Sequence, residues 1–216
     1  MTDFAAARRY MVEGQVRIAD VTDLRIQAAM LELPRERFLP KASAELAYLD
    51  LDPPVGVGGR RLLKPMVLAK LIQAADIGAG DRVMDVGCAT GYGAALLAHL
   101  AAEVVALEED ATLAQSARDN LAGLSNVAVA RGELAAGWPQ GAPYDAIILE
   151  GATETVPQAL CRQLKDGGRL ACVLGSGPGS RAMIYRRCGD DIGARAIFDV
   201  AAPLLPGFAK PPAFAF

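Results

Sequence analysis

The chain has 216 residues, of which 52% are hydrophobic and 22% charged, with a formal net charge of −3 at pH 7. This length suits one α/β domain with a full core, and the scattered basic residues argue against a nucleic-acid partner. Residues 1–9 contain no apolar signal segment, and the apolar stretch 94–107 is interrupted by His99 and Glu103. We therefore expect a soluble cytoplasmic protein without a membrane span.

The N-terminal region predicts helices with no strand between them. Residues 3–20 and 23–33 have helical apolar spacing, and a short segment at 34–40 closes the pair. The Pro/Gly-rich connection at 52–59 has the length at which loops of compact domains tend to be functional. Pro65 then starts an amphipathic helix that leads into the first strand.

The rest of the chain alternates between strand and helix patterns, which predicts a parallel, doubly wound, Rossmann-like sheet. Two final β-like runs joined by Gly189-Asp190-Asp191 predict an antiparallel hairpin, so the sheet should have seven strands. The strands are expected at 83–86, 103–107, 126–130, 145–149, 168–174, 182–187 and 195–200. The helices between them are expected from 91, at 110–122 and at 153–164.

A glycine-rich turn lies between the first strand and its helix, in the stretch Val83–Gly93 that reads VMDVGCATGYG. Glycines let the backbone approach a ligand, and the helix that follows presents free N–H groups. Glu108 ends the second strand about 20 residues after Gly87, where an acid can hold both ribose hydroxyls of an adenosine. The alternative is an exposed acid that favours the dipole of the following helix.

Two residues of this turn distinguish between adenosine cofactors. Nicotinamide dinucleotides favour G-x-G-x-x-G, and this chain has Ala89 at the middle glycine. Asp85 would repel a pyrophosphate but suits a ligand that carries an ammonium and a sulfonium. The acid-x-Gly-x-x-x-Gly arrangement resembles motif I of the class I S-adenosylmethionine-dependent methyltransferases.

Beyond motif I, the chain is similar to the protein-L-isoaspartate O-methyltransferases over essentially its whole length. The segments that narrow the resemblance to this family are Pro34–Phe38 and Gly137-Trp138-Pro139. Other matching segments are Tyr48–Asp50, Pro54–Gly56, Gly132, Tyr144-Asp145 and Leu164–Leu170. The resemblance implies one methyltransferase domain, 1–216, with N-terminal helices and an acceptor-side loop at 1–64 and a cofactor-binding core at 65–216.

The resemblance also implies S-adenosyl-L-methionine as cofactor and S-adenosyl-L-homocysteine as product. The Gly87–Gly91 backbone would cradle the methionine moiety, Glu108 the ribose, and the acid after Gly132 the adenine amino group. That acid is Glu133 here, where the family usually has aspartate. The full cofactor set is Asp85, Gly87, Cys88, Ala89, Gly91, Tyr92, Glu108, Glu109, Gly132 and Glu133.

The acceptor loop departs from the family. The family reads Gly-Gln-Thr-Ile-Ser-x-Pro, whereas this chain reads GRRLLKP from Gly59 to Pro65, without a hydroxyl. The catalytic residues therefore remain open, with Arg60, Arg61 and Leu63 as candidates. An arginine could clamp the carboxylate of a protein or peptide acceptor, or the loop could simply be basic and solvated.

Three functions fit this sequence. The first is methylation of an isoaspartyl carboxylate, which needs no general base because a carboxylate is ionised at neutral pH. The second is methylation of a different acceptor, and the third is a catalytically weak cofactor-binding protein. Cys88, Cys161, Cys172 and Cys188 have neither metal-ligand nor disulfide spacing, so we expect no metal site.

Overall fold

The computed structural model describes residues 3–211, which contain a seven-stranded sheet in the order β3-β2-β1-β4-β5-β6-β7. The first five strands are mutually parallel, and β6 and β7 form an antiparallel hairpin on β5. The predicted sheet and its hairpin are confirmed. The strands are β1 Arg82–Val86, β2 Glu103–Glu108, β3 Val127–Arg131, β4 Tyr144–Thr153, β5 Leu164–Leu174, β6 Arg181–Cys188 and β7 Asp191–Asp199.

Side chains or a glycine cap the start of four of the six α-helices in the described part of the chain, while the helices Pro65–Ala75 and Gln158–Cys161 begin after Lys64 and Pro157 without a side-chain cap. Asp110 accepts hydrogen bonds from the N–H groups of Thr112 and Leu113, and Gly91 precedes its helix with φ 96°. The α-helices are α1 Phe4–Met11, α2 Leu24–Glu32, α3 Pro65–Ala75, α4 Tyr92–Ala98, α5 Ala111–Leu121 and α6 Gln158–Cys161. Shorter π or 3-10 turns lie at Val12–Val16, Arg17–Ala19, Arg35–Phe38, Lys41–Leu46, Leu134–Ala136 and Pro139–Gly141. Within residues 3–211, no helix combines the length and apolarity needed to cross a membrane.

Both faces of the sheet are buried, as parallel strands require. Val83 of β1 and Ile148 of β4 face the helices α3 and α4, while Met84 and Leu149 face the opposite apolar cluster. Because side chains alternate along a strand, Asp85 and Glu150 point toward the same face as Val83 and Ile148. The two acids are thereby placed on the α4 side of the sheet.

The helix predicted at 153–164 is wrong. Strand β4 continues to Thr153, and only α6 within that range is α-helical. The strand extends because backbone groups from elsewhere pair with its end: Ala152 N–H donates to Pro203 O at 2.7 Å, and Leu205 N–H donates to Ala152 O at 3.0 Å. Residues 203–208, called here the C-terminal segment, therefore lie along the end of β4.

Arg35 joins the N-terminal region to the sheet. Its guanidinium is fully buried and lies over the ring of Tyr92, with Cζ 4.6 Å from the ring centroid. Its Nε donates to Ala47 O at 2.8 Å and its Nη2 donates to Leu63 O at 2.7 Å. One side chain thus connects both ends of the long loop 47–63 to the start of α4.

Candidate active site

The turn after β1 is built on left-handed backbone positions. Gly87, Ala89 and Gly91 have φ values of 79°, 50° and 96°, and the N–H groups of Gly87 and Cys88 both donate to Leu107 O. A Cβ at Gly91 would lie 2.8 Å from Leu121 Cδ1, so only glycine fits between this turn and α5. Cys88 is buried inside the turn.

Asp85 carries a buried carboxyl group without donors. It is 0% exposed, and neither of its oxygens has a hydrogen-bond partner among the described residues. Burial raises the pKa of Asp85 to about 7, and the charge of Glu108 contributes. Burial thus shifts this carboxyl group toward its protonated form.

Glu150 lies beside Asp85. It follows the apolar run of β4, is 4% exposed, and its Oε1 has no partner within the described residues of the chain. Burial, followed by the charge of Asp85, raises its pKa well above the ordinary value. A Cβ on Gly93 would lie 1.8 Å from Glu150 Oε1, so the glycine leaves the space that this carboxyl occupies.

Glu108 is equally buried but well supplied with donors. Its Oε1 accepts from Arg60 Nη1 at 2.7 Å and from the N–H groups of Glu109 and Asp110 at 3.0 and 3.1 Å. Its Oε2 accepts from Ala89 N–H at 2.9 Å. Three donors share Oε1 and a single N–H group reaches Oε2, so Oε2 keeps one of the roughly four lone-pair sites of the carboxylate free.

The Arg60 side chain points into the protein, and its partners are Glu108 at the end of β2 and Gly87 of the glycine turn. Only 7% of its side chain is exposed, and Nη2 donates to Gly87 O at 3.0 Å while Nη1 pairs with Glu108. Leu205 of the C-terminal segment covers the neighbouring backbone, with Cδ2 3.0 Å from the place of a Cβ on Gly87. The same leucine lies 2.6 Å from the Cβ position of Gly151.

The other two acceptor-loop candidates lie apart from that corner. Arg61 is exposed, and its Nη1 donates to Asp52 O at 2.8 Å. Leu63 is buried in the core, and its carbonyl accepts from Arg35. Arg61 and Lys64 border a cleft of about 530 Å³, together with Asp50, Asp52 and Pro203.

The residues expected near the adenine lie at the ends of β2 and β3. Gly132 N–H donates to Glu108 O at 3.2 Å, and a Cβ there would lie 3.4 Å from the Trp138 ring. Glu133 is exposed and precedes the turn Leu134–Ala136, and Glu109 is half-buried. The structure thus brings Glu108, Glu109 and Gly132 together, with Glu133 at the rim.

Sequence reasoning did not include Glu150 or Leu205 in the site. Glu150 had a usable signal, because an acid directly after the apolar run of a parallel strand lies at the edge where ligands bind. Leu205 had none, since its contact with Gly87 depends on the path of the C-terminal segment.

A family model described as protein-L-isoaspartate(D-aspartate) O-methyltransferase matches residues 9–197. The chain belongs to this family. It is 39% identical over 203 residues to protein-L-isoaspartate O-methyltransferase 1 of Rhodopseudomonas palustris (strain HaA2), covering 92% of this chain and 82% of that protein. It is 41% identical over 209 residues to the Methylorubrum extorquens (strain PA1) enzyme, covering 95% and 91%.

Solved structures of the family have the same fold. One protein-L-isoaspartate O-methyltransferase superposes with a TM-score of 0.79 at 24% identity, covering 93% of this chain and 66% of that one. Another, from Plasmodium falciparum in complex with S-adenosyl-L-homocysteine, gives 0.78 at 17% identity, covering 95% and 99%. The family consists of S-adenosyl-L-methionine-dependent methyltransferases.

The arrangement of side chains can be tested against this cofactor. Asp85, with two buried oxygens that lack donors among the described residues, suits an ammonium group. Glu108, however, has Oε1 taken up by Arg60 and two N–H groups and only one lone pair left on Oε2, and Arg60 and Leu205 lie against Gly87. With the side chains placed as they are, the cofactor does not fit, and Arg60 would have to move.

Proposed function

We propose that this chain transfers a methyl group from S-adenosyl-L-methionine to a carboxylate of damaged, isoaspartyl protein. Support comes from its family and from relatives that are named protein-L-isoaspartate O-methyltransferases. The structural observation that carries the proposal is the cleft bordered by Arg61 and Lys64. These residues belong to the loop whose Arg60 donates a hydrogen bond to Gly87 O of the glycine turn.

The charges of this cleft suit a carboxylate on an extended peptide. The exposed guanidinium of Arg61 can form a bidentate pair with an acceptor carboxylate. Asp50 and Asp52 border the same cleft and would repel an acidic group that is not held by Arg61 or Lys64. Desolvation by burial raises the pKa of Asp52, which weakens that repulsion on its side.

The chemistry requires positioning more than proton transfer. An acceptor carboxylate is ionised at neutral pH and is itself the nucleophile, so the protein must orient and desolvate it. Leu62 and Leu63 are buried and present no hydroxyl to it. The loss of one orienting hydrogen bond amounts to about 1 kcal/mol, which slows a reaction without abolishing it.

The proposed roles follow the corner geometry. Asp85 would face the ammonium group, Glu108 the ribose, and Glu133 the adenine amino group. We further propose a cytoplasmic protein with a single methyltransferase domain, 1–216, divided into an acceptor-side region at 1–64 and a cofactor-binding core at 65–216.

The test is transfer of a labelled methyl group to an isoaspartyl peptide and to its normal-aspartyl twin. We expect label on the isoaspartyl peptide alone, in a base-labile ester. Arg61→Gln should raise the Michaelis constant for the peptide about fivefold, equivalent to ~1 kcal/mol, while cofactor affinity stays unchanged. Equal labelling of both peptides, or of neither, would contradict the isoaspartyl assignment.

The buried leucines favour a second candidate function, a cofactor-binding protein with little or no turnover. In that case S-adenosyl-L-homocysteine binds in a calorimetric titration while neither peptide becomes labelled. Labelling of an unrelated small-molecule carboxylate would instead indicate a different acceptor on the same fold.

A further inference from the structure

The guanidinium of Arg60 occupies the place where a ribose would pair with Glu108. It donates to Glu108 Oε1 at 2.7 Å and to Gly87 O at 3.0 Å, so it spans the glycine turn and the acid at the end of β2. These are the two groups between which an adenosine cofactor lies in doubly wound folds. Both partners of the ion pair are buried, at 7% and 0% exposure.

We propose that Arg60 is an internal competitor that sets the affinity of the cofactor site: it closes the site in the ligand-free protein, and the cofactor must displace it. The proposal rests on the proposed use of S-adenosyl-L-methionine. The ribose hydroxyls replace a charge-assisted hydrogen bond, so the binding free energy is reduced by what the ion pair contributes.

The backbone around Arg60 supports such a displacement. Arg60 lies in a tight hairpin closed by the Pro54–Arg61 bridge, with Val55 N–H donating to Arg60 O at 3.0 Å. Gly56, Gly58 and Gly59 have φ values of 84°, 53° and 71°, and a Cβ at Gly58 or Gly59 would meet nothing within 4 Å. The hairpin tip at Gly58 and Gly59 is thus open to solvent, on the side to which a displaced Arg60 would move.

Leu205 covers the Gly87 backbone together with Arg60. Its methyl groups lie 3.0 and 3.2 Å from the Cβ position of Gly87, and Arg60 Nη2 lies 3.3 Å from it. The leucine is 4% exposed and is anchored by its N–H bond to Ala152 O. An aliphatic group and a guanidinium together cover the backbone that the methionine moiety of the cofactor would approach.

The experiment compares calorimetric affinities for S-adenosyl-L-homocysteine in the wild-type chain, Arg60→Met and Arg61→Met. Methionine keeps much of the aliphatic volume of arginine and removes its charge, and Arg61 is the matched control on the same hairpin. We expect Arg60→Met to bind about tenfold more tightly and Arg61→Met to stay within about twofold of wild type. In a crystal of the wild-type complex, Arg60 Nη1 should lie beyond about 4 Å from Glu108.

Equal or weaker binding by Arg60→Met would overturn the proposal, and so would no binding by any of the three proteins. Arg60→Met leaves Glu108 buried without a cation, so its Tm is measured beside its affinity. Leu205→Ala, which keeps the ion pair, tests the same closure independently and should tighten binding about threefold. Failure to methylate isoaspartyl peptide with tightened binding by Arg60→Met would refute the proposed acceptor and leave the closure standing.

Discussion

Asp85 and Glu108 end neighbouring parallel strands and are both fully buried, yet their surroundings are opposite. Glu108 has a guanidinium and three backbone N–H groups around its carboxylate, whereas Asp85 has no donor among the described residues and Glu150 as its neighbour. A buried charge is stable only when it is paired and hydrogen-bonded. The charge of Glu108 is therefore neutralised and hydrogen-bonded by the protein itself, whereas the Asp85 carboxyl is suited to a cation supplied by a ligand.

The largest effect should follow from breaking the Arg60–Glu108 pair. Glu108→Gln keeps the volume of the side chain but leaves the Arg60 guanidinium buried without an anion. We expect the free energy of unfolding to fall by about 3–5 kcal/mol, measured by urea denaturation. Adding Arg60→Met to this variant should restore some of the loss, because the buried cation is then gone as well.

The matched control is Glu103→Gln. Glu103 pairs with Arg82, but both side chains are well exposed, at 45% and 39%. Such pairs contribute about 0–1 kcal/mol. If the two substitutions lower stability equally, the burial of the Arg60–Glu108 pair has no special energetic weight.

The buried Asp85 carboxyl should make the free energy of unfolding depend on pH. The pKa of Asp85 is about 7 in the folded protein against an ordinary 3.8, so the folded state holds the proton more tightly than the unfolded state. Stability contributed by this proton is present at low pH and is lost as the pH rises from about 4 through 7. Between pH 5 and pH 8, wild type should lose about 2–3 kcal/mol more than Asp85→Asn.

Urea denaturation of both proteins at the two pH values measures this difference. Asparagine keeps the shape of the side chain and cannot ionise, so it serves as the reference for the titration. Parallel pH profiles would mean that Asp85 is ionised at pH 5 already, and that the contrast with Glu108 is one of geometry alone.

A smaller effect should come from the residue next to Glu150. In Gly151→Ala, the new Cβ would lie 2.6 Å from Leu205 Cγ and 2.8 Å from Pro203 O, so the C-terminal segment must shift. We expect a loss of about 1–2 kcal/mol and faster amide exchange at Leu205. Gly123→Ala, whose added methyl meets nothing within 4 Å, should change neither.

Local patterns were enough to predict the sheet and the positions of both acids. A few adjacent residues are enough to predict the strand that ends in Glu108 and the glycine turn near Asp85. Their spacing places both at the carboxyl edge of the parallel sheet. Arg60 was a candidate for an inward-facing arginine, but not for a partner of Glu108. That contact joins residues 48 positions apart, and no periodicity encodes it.

The wrong helix at 153–164 has the same origin. Its apolar spacing is compatible with a helix, but the end of β4 finds backbone partners at Pro203 and Leu205, about 50 residues away in sequence. The covering of Gly87 by Leu205 follows from that pairing. Site residues that depend on the path of a distant segment could not be predicted from the sequence alone.

The contacts of Arg35 couple the start of α4 to the loop that carries Arg60 and Arg61. The Arg35 guanidinium contacts the Tyr92 ring and donates hydrogen bonds to the carbonyls of Ala47 and Leu63. It therefore connects the first turn of α4 rigidly to both ends of the loop 47–63. A ligand that presses on the start of α4 would transmit that displacement to the loop that carries Arg60 and Arg61. Lysine could not replace arginine here, since an ammonium group has no planar face that can lie over the Tyr92 ring while its N–H groups bond both carbonyls.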